Sequence, residues 1–317
     1  MKTAEIKFGG RGKKPLAAGQ GKVKRTWDRS NERIRDVMHS AAFLGPSVTG
    51  VAVFFIVPFL VVVYYSIIRS PLNPEFVFLD NFKAVLGNSS FRTAAGNTAM
   101  FSAIAVPLAV VLSLGLALLL ECRIPCKSLF RTFFLSPMMV PVASVVLIWQ
   151  VVFHYRGTLN VILANFNVEP IDWLNSKYCL LVIVVLFLWK NLGYNMILFM
   201  AALNNIPKEL LEVADVEGAS AAHKFFNIKL RYLSPTVLFV AILSIINSFK
   251  VFREIYLLVG KYPFDGLYMM QHFMNNTFEN FDYQKMASAA VLMALVMVAL
   301  IALLFKAEDI FGKDVEG

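Results

Sequence analysis

Six long apolar stretches divide the chain, at about residues 41–68, 96–121, 130–153, 179–204, 234–252 and 286–305. Each approaches or exceeds the ~20 residues that carry a helix across a bilayer. The pattern therefore predicts an all-α integral membrane protein with six transmembrane helices spanning residues 41–305. Pro46, Pro58, Pro107, Pro137 and Pro141 fall within the first three stretches. Membrane helices accept such prolines where neighbours satisfy the freed carbonyls. Two polar interruptions separate apolar segments in the second half, and the more charged is Ile206–Pro235.

That interruption has its own order. Pro207 marks a helix start, since proline has no N–H to lose in a first turn and its φ is already helical. Residues 208–216 read as a short helix with Leu210, Leu211 and Ala214 on one side and Glu209, Glu212 and Asp215 around the rest. Gly218 permits a sharp change of direction. A second helix from about Ala219 carries Phe225, Phe226 and Ile228, and Ser234–Pro235 opens the next apolar run. A helix–Gly–helix hairpin, acidic towards its bend and tethered between two spans, suits a docking surface; the plainer alternative is a solvated loop.

Composition agrees with the membrane reading. Hydrophobic residues make up 58% and charged residues 16%, against nearly half apolar and a quarter charged in soluble domains. Cys122, Cys126 and Cys179 are too few for a disulfide framework and lack partners for a metal, so they read as plain thiols. Residues 1–40 hold eleven Lys and Arg against four acids. Their Gly-rich beginning, 1–26, reads as a disordered basic tail. Residues 27–40 place Trp27, Ile34, Val37 and Met38 on one helical face, as in an amphipathic interfacial helix on a membrane. A nucleic-acid-binding arm is disfavoured by the span that follows directly. The basic residues just ahead of the first span put both termini, including the tail 306–317, and the hairpin on the cytoplasmic side.

Catalytic and energising motifs are missing from the sequence. The pairs Gly12–Lys13, Gly21–Lys22, Gly260–Lys261 and Gly312–Lys313 are not followed by Ser or Thr, so there is no phosphate-cradling loop. The four histidines form no metal or nucleophile constellation. The expected spans contain no acid except Glu121 at an end, which argues against a secondary transporter coupled through intramembrane carboxylates. A membrane-embedded enzyme or a purely structural subunit has no motif to support it.

The residues Glu212, Ala214 and Gly218, with Ile206–Pro207 ahead and Ile228, Leu230, Leu233 and Pro235 behind, resemble the "EAA" loop of permease subunits of binding-protein-dependent ABC importers. Val213 stands where that loop usually has a second Ala, and Arg231 where Pro is common. The resemblance extends over roughly 41–306 and is to the carbohydrate-uptake type, the maltose/glycerol-phosphate sugar permeases. It includes Phe82 within LDNF, Gly96–Asn97–Thr98, Phe130–Arg131–Thr132, Ser136–Pro137, Ile171–Asp172–Trp173–Leu174, Ser248–Phe249–Lys250–Val251–Phe252 and Ala287–Ser288–Ala289–Ala290.

The resemblance implies the type I ABC importer permease fold in a bacterial inner membrane, in a heterodimer with a second permease. It also implies two ATPase subunits that hold the ATP and Mg, an external solute-binding protein, and no cofactor in this chain. It implies that Glu212 and Gly218 are central to coupling, aided by Glu209, Ala214, Asp215 and Glu217. The solute would be a sugar or oligosaccharide; a polyol, a sugar phosphate or an amino acid is the alternative.

Polar side chains inside the bilayer mark the expected pathway, because they are costly there unless they face a cavity or another helix. Phe187, Asn191 and Tyr194 share one helical face of the fourth span, and Ser244, Asn247 and Ser248 share one of the fifth. An aromatic ring with amide and hydroxyl groups suits a sugar. The alternative is interhelical hydrogen bonding without a ligand. Lys190 and Lys250 are the cationic candidates.

Overall fold

The computed structural model describes residues 43–122 and 125–312. The expected tail (1–26) and interfacial helix (27–40) lie outside the described residues. Apart from an isolated antiparallel bridge between Ile68 and Phe76, the regular structure described is helical. Among the described residues, six helical segments are long and apolar enough to cross a membrane: 43–67, 89–121, 142–164, 179–204, 234–259 and 283–309.

Residues 43–61 form one unit. They are the first part of helix α1 (Phe43–Ile67), and none of their side chains is buried. A π-helical turn, Ala52–Ile56, interrupts the regular ladder, with the Val57 N–H bonded to the Ala52 carbonyl. Pro58 follows at once and has no N–H for the carbonyl four residues back, which is a recognised cause of such a turn.

The second unit starts at Val62. After the end of α1 come α2 (Asp80–Gly87), α3 (Ser89–Glu121), α4 (Lys127–Met139), α5 (Val142–Phe153), α6 (Thr158–Ala164) and α7 (Cys179–Asn204). Then follow α8 (Lys208–Val216), α9 (221–232, with a π-helical turn at Phe225–Lys229), α10 (Ser234–Phe249), α11 (Phe252–Val259), α12 (Met270–Glu279) and α13 (Tyr283–Gly312).

Helix α7 lies at the centre, with 44% of its most apolar window buried against 11% for α13. It packs along α3, which presents Ala105, Ala109, Ser113 and Ala117 at four-residue spacing, all with no exposed surface. Lipid tails are as apolar as these side chains, so hydrophobicity alone cannot drive the pairing; small residues allow the close approach that does. Gly193 continues the seam on the other side of α7. A Cβ there would collide with the Phe134 carbonyl of α4.

Two expected spans differ in the structure. The run at 130–153 is divided at Val140–Pro141, where the backbone is extended, into α4 and α5; Pro141 has no N–H to continue the ladder. The run at 234–252 continues past a turn at Lys250–Val251 into α11, so the fifth span reaches Val259 and takes in Arg253 and Glu254.

Gly193→Val should break the seam between α7 and α4, lowering the unfolding midpoint in detergent by many degrees, and Gly193→Ala should do so less. Heating followed by size-exclusion chromatography measures this. A midpoint unchanged in both variants would mean that the contact is not tight.

Candidate functional site

Helices α8 and α9 form the hairpin expected from the sequence. Gly218 at its bend has φ +77°, a left-handed conformation that side-chain-bearing residues rarely adopt. The Gly218 N–H donates to the Asp215 carbonyl (3.1 Å) and the Ala219 N–H to the Ala214 carbonyl (2.8 Å). The Ala214 side chain is buried. Lys224 of α9 pairs with Asp215 of α8 and staples the two arms. That leaves Glu209, Glu212 and Glu217 exposed and without side-chain partners among the described residues. Val213 and Val216 are exposed beside them, Val216 by 91%. The hairpin thus presents acids around an apolar patch.

Its ends are held firmly. Ile206 before α8 and Leu233 after α9 are buried in one apolar cluster with Met196, Phe199 and Leu203 of α7 and Val240 of α10. Cutting such a side chain to Ala costs about 2–5 kcal/mol. Lys229 of α9 also donates to both carboxylate oxygens of Glu121, at 2.8 and 2.7 Å, which ties the second arm to the end of α3.

A cavity of about 330 Å³ opens between α4, α5, α7 and the broken pair α10–α11. Asn191 Nδ2 donates to the Phe187 carbonyl (2.8 Å), and its Oδ1 accepts from Asn247 Nδ2 (2.9 Å). Phe187, Asn191, Tyr194 and Asn247 all line the space, together with Lys190, Lys250, Arg253 and Glu254. Lys190 and Glu254 form an ion pair in which Glu254 is only 5% exposed. The other carboxylate oxygen of Glu254 is buried without a hydrogen-bond partner among the described residues.

Two of the residues expected in the pathway do not line this cavity. Ser244 accepts from Asn195 Nδ2 (3.1 Å), and Ser248 shares a hydrogen bond with Ser102 of α3 (2.9 Å). Both are 1% exposed, so they join α10 to its neighbours and do not border the cavity. On the loop side, His272 of α12 is fully buried against Phe252 and Tyr268. Burial lowers its pKa to about 4, so the ring stays neutral.

Over residues 109–316 the sequence matches the family described as the inner membrane component of binding-protein-dependent transport systems. The chain belongs to this family. It is similar to the arabinooligosaccharides transport system permease protein AraP of Bacillus subtilis (32% identity; 68% of this chain and 70% of the relative). It is likewise similar to the trehalose/maltose transport system permease protein MalF of Thermococcus litoralis (30%; 85% and 92%). A third relative is the sn-glycerol-3-phosphate transport system permease protein UgpA of Agrobacterium fabrum (29%; 83% and 92%). Its fold is shared with a chain of a bacterial ABC transporter involved in importing the acidic polysaccharide alginate (TM-score 0.75, 17% identity, covering 88% of this chain and 98% of that one).

This binding-protein-dependent permease is accordingly a multi-pass membrane transport subunit and not an enzyme. Its Glu254 escaped sequence reading because the fifth span was expected to end at 252. The signal was there: Phe252, Ile255, Tyr256 and Val259 continue a helical apolar face beyond the turn.

The buried pair gives a stability test. Lys190→Met should destabilise the permease by about 3 kcal/mol, because it strands the Glu254 carboxylate. Lys190→Met combined with Glu254→Met should recover most of the loss in a double-mutant cycle of unfolding in detergent. Simple additivity of the two single losses would contradict a direct pair.

Proposed function

We propose that this permease forms, with a second permease, the membrane pathway of an ATP-driven type I ABC importer for a sugar or oligosaccharide. An extracytoplasmic binding protein delivers the solute, and two ATPase subunits, which hold the ATP and Mg, drive the cycle. Both termini and the hairpin face the cytoplasm, as the basic residues ahead of the first span favour. The likeness to permeases named for arabinooligosaccharides and for trehalose and maltose supports a carbohydrate as solute.

One observation carries the mechanism. The hairpin is rooted in α7 and α10, the same two helices that hold Asn191, Tyr194 and Asn247 at the cavity. Glu212, with Glu209 and Glu217, meets basic residues on the ATPase, while Val213 and Val216 fill an apolar recess. Gly218 makes the bend, and Asp215 and Ala214 keep the hairpin in shape. When the ATPases close on ATP, the hairpin moves as a rigid piece. Ile206 and Leu233 pass that motion into α7 and α10, and the cavity changes the side to which it opens. The amide pair Asn191–Asn247 offers donors and acceptors to sugar hydroxyls, and the Tyr194 ring offers a face for stacking.

Glu212→Lys should abolish solute-stimulated ATP hydrolysis in the reconstituted complex while the subunits still reach the membrane. Asn191→Ala and Tyr194→Ala should instead lower uptake at least about tenfold and leave unstimulated hydrolysis intact. Stimulation that survives Glu212→Lys would remove the hairpin from coupling. Uptake unaffected by both cavity variants would move the pathway elsewhere.

A further inference from the structure

The charges around the cavity are unbalanced. Among the described residues, Lys190, Lys250, Arg253 and Glu254 border it, three cations to one acid. Lys190 is committed to Glu254. Lys250 and Arg253 are exposed, and among the described residues neither side chain has a hydrogen bond or an ion partner. Cationic side chains within a membrane span are expensive unless they are paired or solvated in a cavity. Both stand at the turn that breaks the fifth span, where the chain turns from α10 into α11.

We propose that the cavity takes an acidic sugar, one that carries a carboxylate or a phosphate beside its hydroxyls. The inference rests on the reading of the chain as a sugar permease and narrows its substrate class. Lys250 and Arg253 receive the anionic group. An arginine fork matches the oxygens of carboxylate or phosphate, and charge-assisted hydrogen bonds are the stronger kind. Glu254 supplies the opposite pole. Its free oxygen is buried and accepts nothing within the described chain, and a buried acceptor without a donor is unfavourable. A sugar hydroxyl that reached it as the cavity opens would be such a donor, whereas an anionic group would be repelled by the Glu254 carboxylate. The two poles therefore fix both the class of solute and its direction: anionic group towards Lys250 and Arg253, hydroxyls towards Glu254 and the Asn191–Asn247 pair. The volume of about 330 Å³ lies at the small end of ligand sites, about 300–1,000 Å³, which fits one sugar unit at a time.

The test uses the intact complex purified without its binding protein, so that selection by the membrane subunits is read alone. Calorimetric titration compares D-glucose, D-glucuronate and glucose 6-phosphate, which share a ring and differ at one carbon. Binding of glucuronate or glucose 6-phosphate at least about tenfold tighter than glucose supports the inference, and the tighter of the two identifies the anion. The gap should narrow as salt rises, a check made on the unaltered protein. It should also close in the Lys250→Met/Arg253→Met variant with the unfolding midpoint retained. Equal binding of all three sugars overturns the inference and leaves the sugar reading standing. Binding of none of them overturns both.

Discussion

The burial of Ile206 and Leu233 in a single apolar cluster is the constraint on which the rest depends. These residues stand where the chain leaves α7 for the hairpin and where it returns to α10. Both ends of a polar, exposed element are thereby fixed to the membrane-embedded part, and the Lys229–Glu121 pair adds a third attachment to α3. A hairpin held at one end would pivot in water and transmit little. Held at both, it can move only with α7 and α10. Those helices also line the cavity, so in the proposed cycle packing over the length of two helices would link coupling to transport.

Much of this was legible in the chain itself. Six apolar runs and a helix–Gly–helix interruption are consequences of helical geometry and bilayer thickness, which leave a clear periodic mark. Breaks inside apolar runs leave a weaker one. Pro141 could have been read as tolerated or as a break, and only its packing decides. The turn at Lys250–Val251 involves no proline or glycine and leaves no mark of its own, while the charges at Lys250, Arg253 and Glu254 end the apolar run near 252. That boundary hid Glu254, the one acid among the described residues that line the cavity.

The polar faces of α7 and α10 show a further limit. Spacing identifies which residues share a face, but not whether the face meets a cavity or another helix. Asn191, Tyr194 and Asn247 border the cavity, whereas Ser244 and Ser248 spend their hydrogen bonds on Asn195 and Ser102. Other motif residues likewise act as clamps. Asn81 donates to the Ser66 and Ile68 carbonyls, Asn97 to that of Tyr268, and Trp173 to Asn160. In a bilayer an unmet backbone group is costly, so polar side chains that cap loops and span ends are needed by the fold whatever the solute.

In the proposed assembly the hairpin seats on the ATPase subunit, and cross-linking from Val216, which is 91% exposed beside the acidic face, tests this contact. With Cys122, Cys126 and Cys179 replaced, Val216→Cys carrying a short photoreactive group would be illuminated in native membranes and the attached protein identified by mass. A single partner that bears a phosphate-binding loop is expected, with a yield that changes on adding ATP. Attachment only to lipid or to the binding protein, in membranes where the assembled complex is intact, would contradict it.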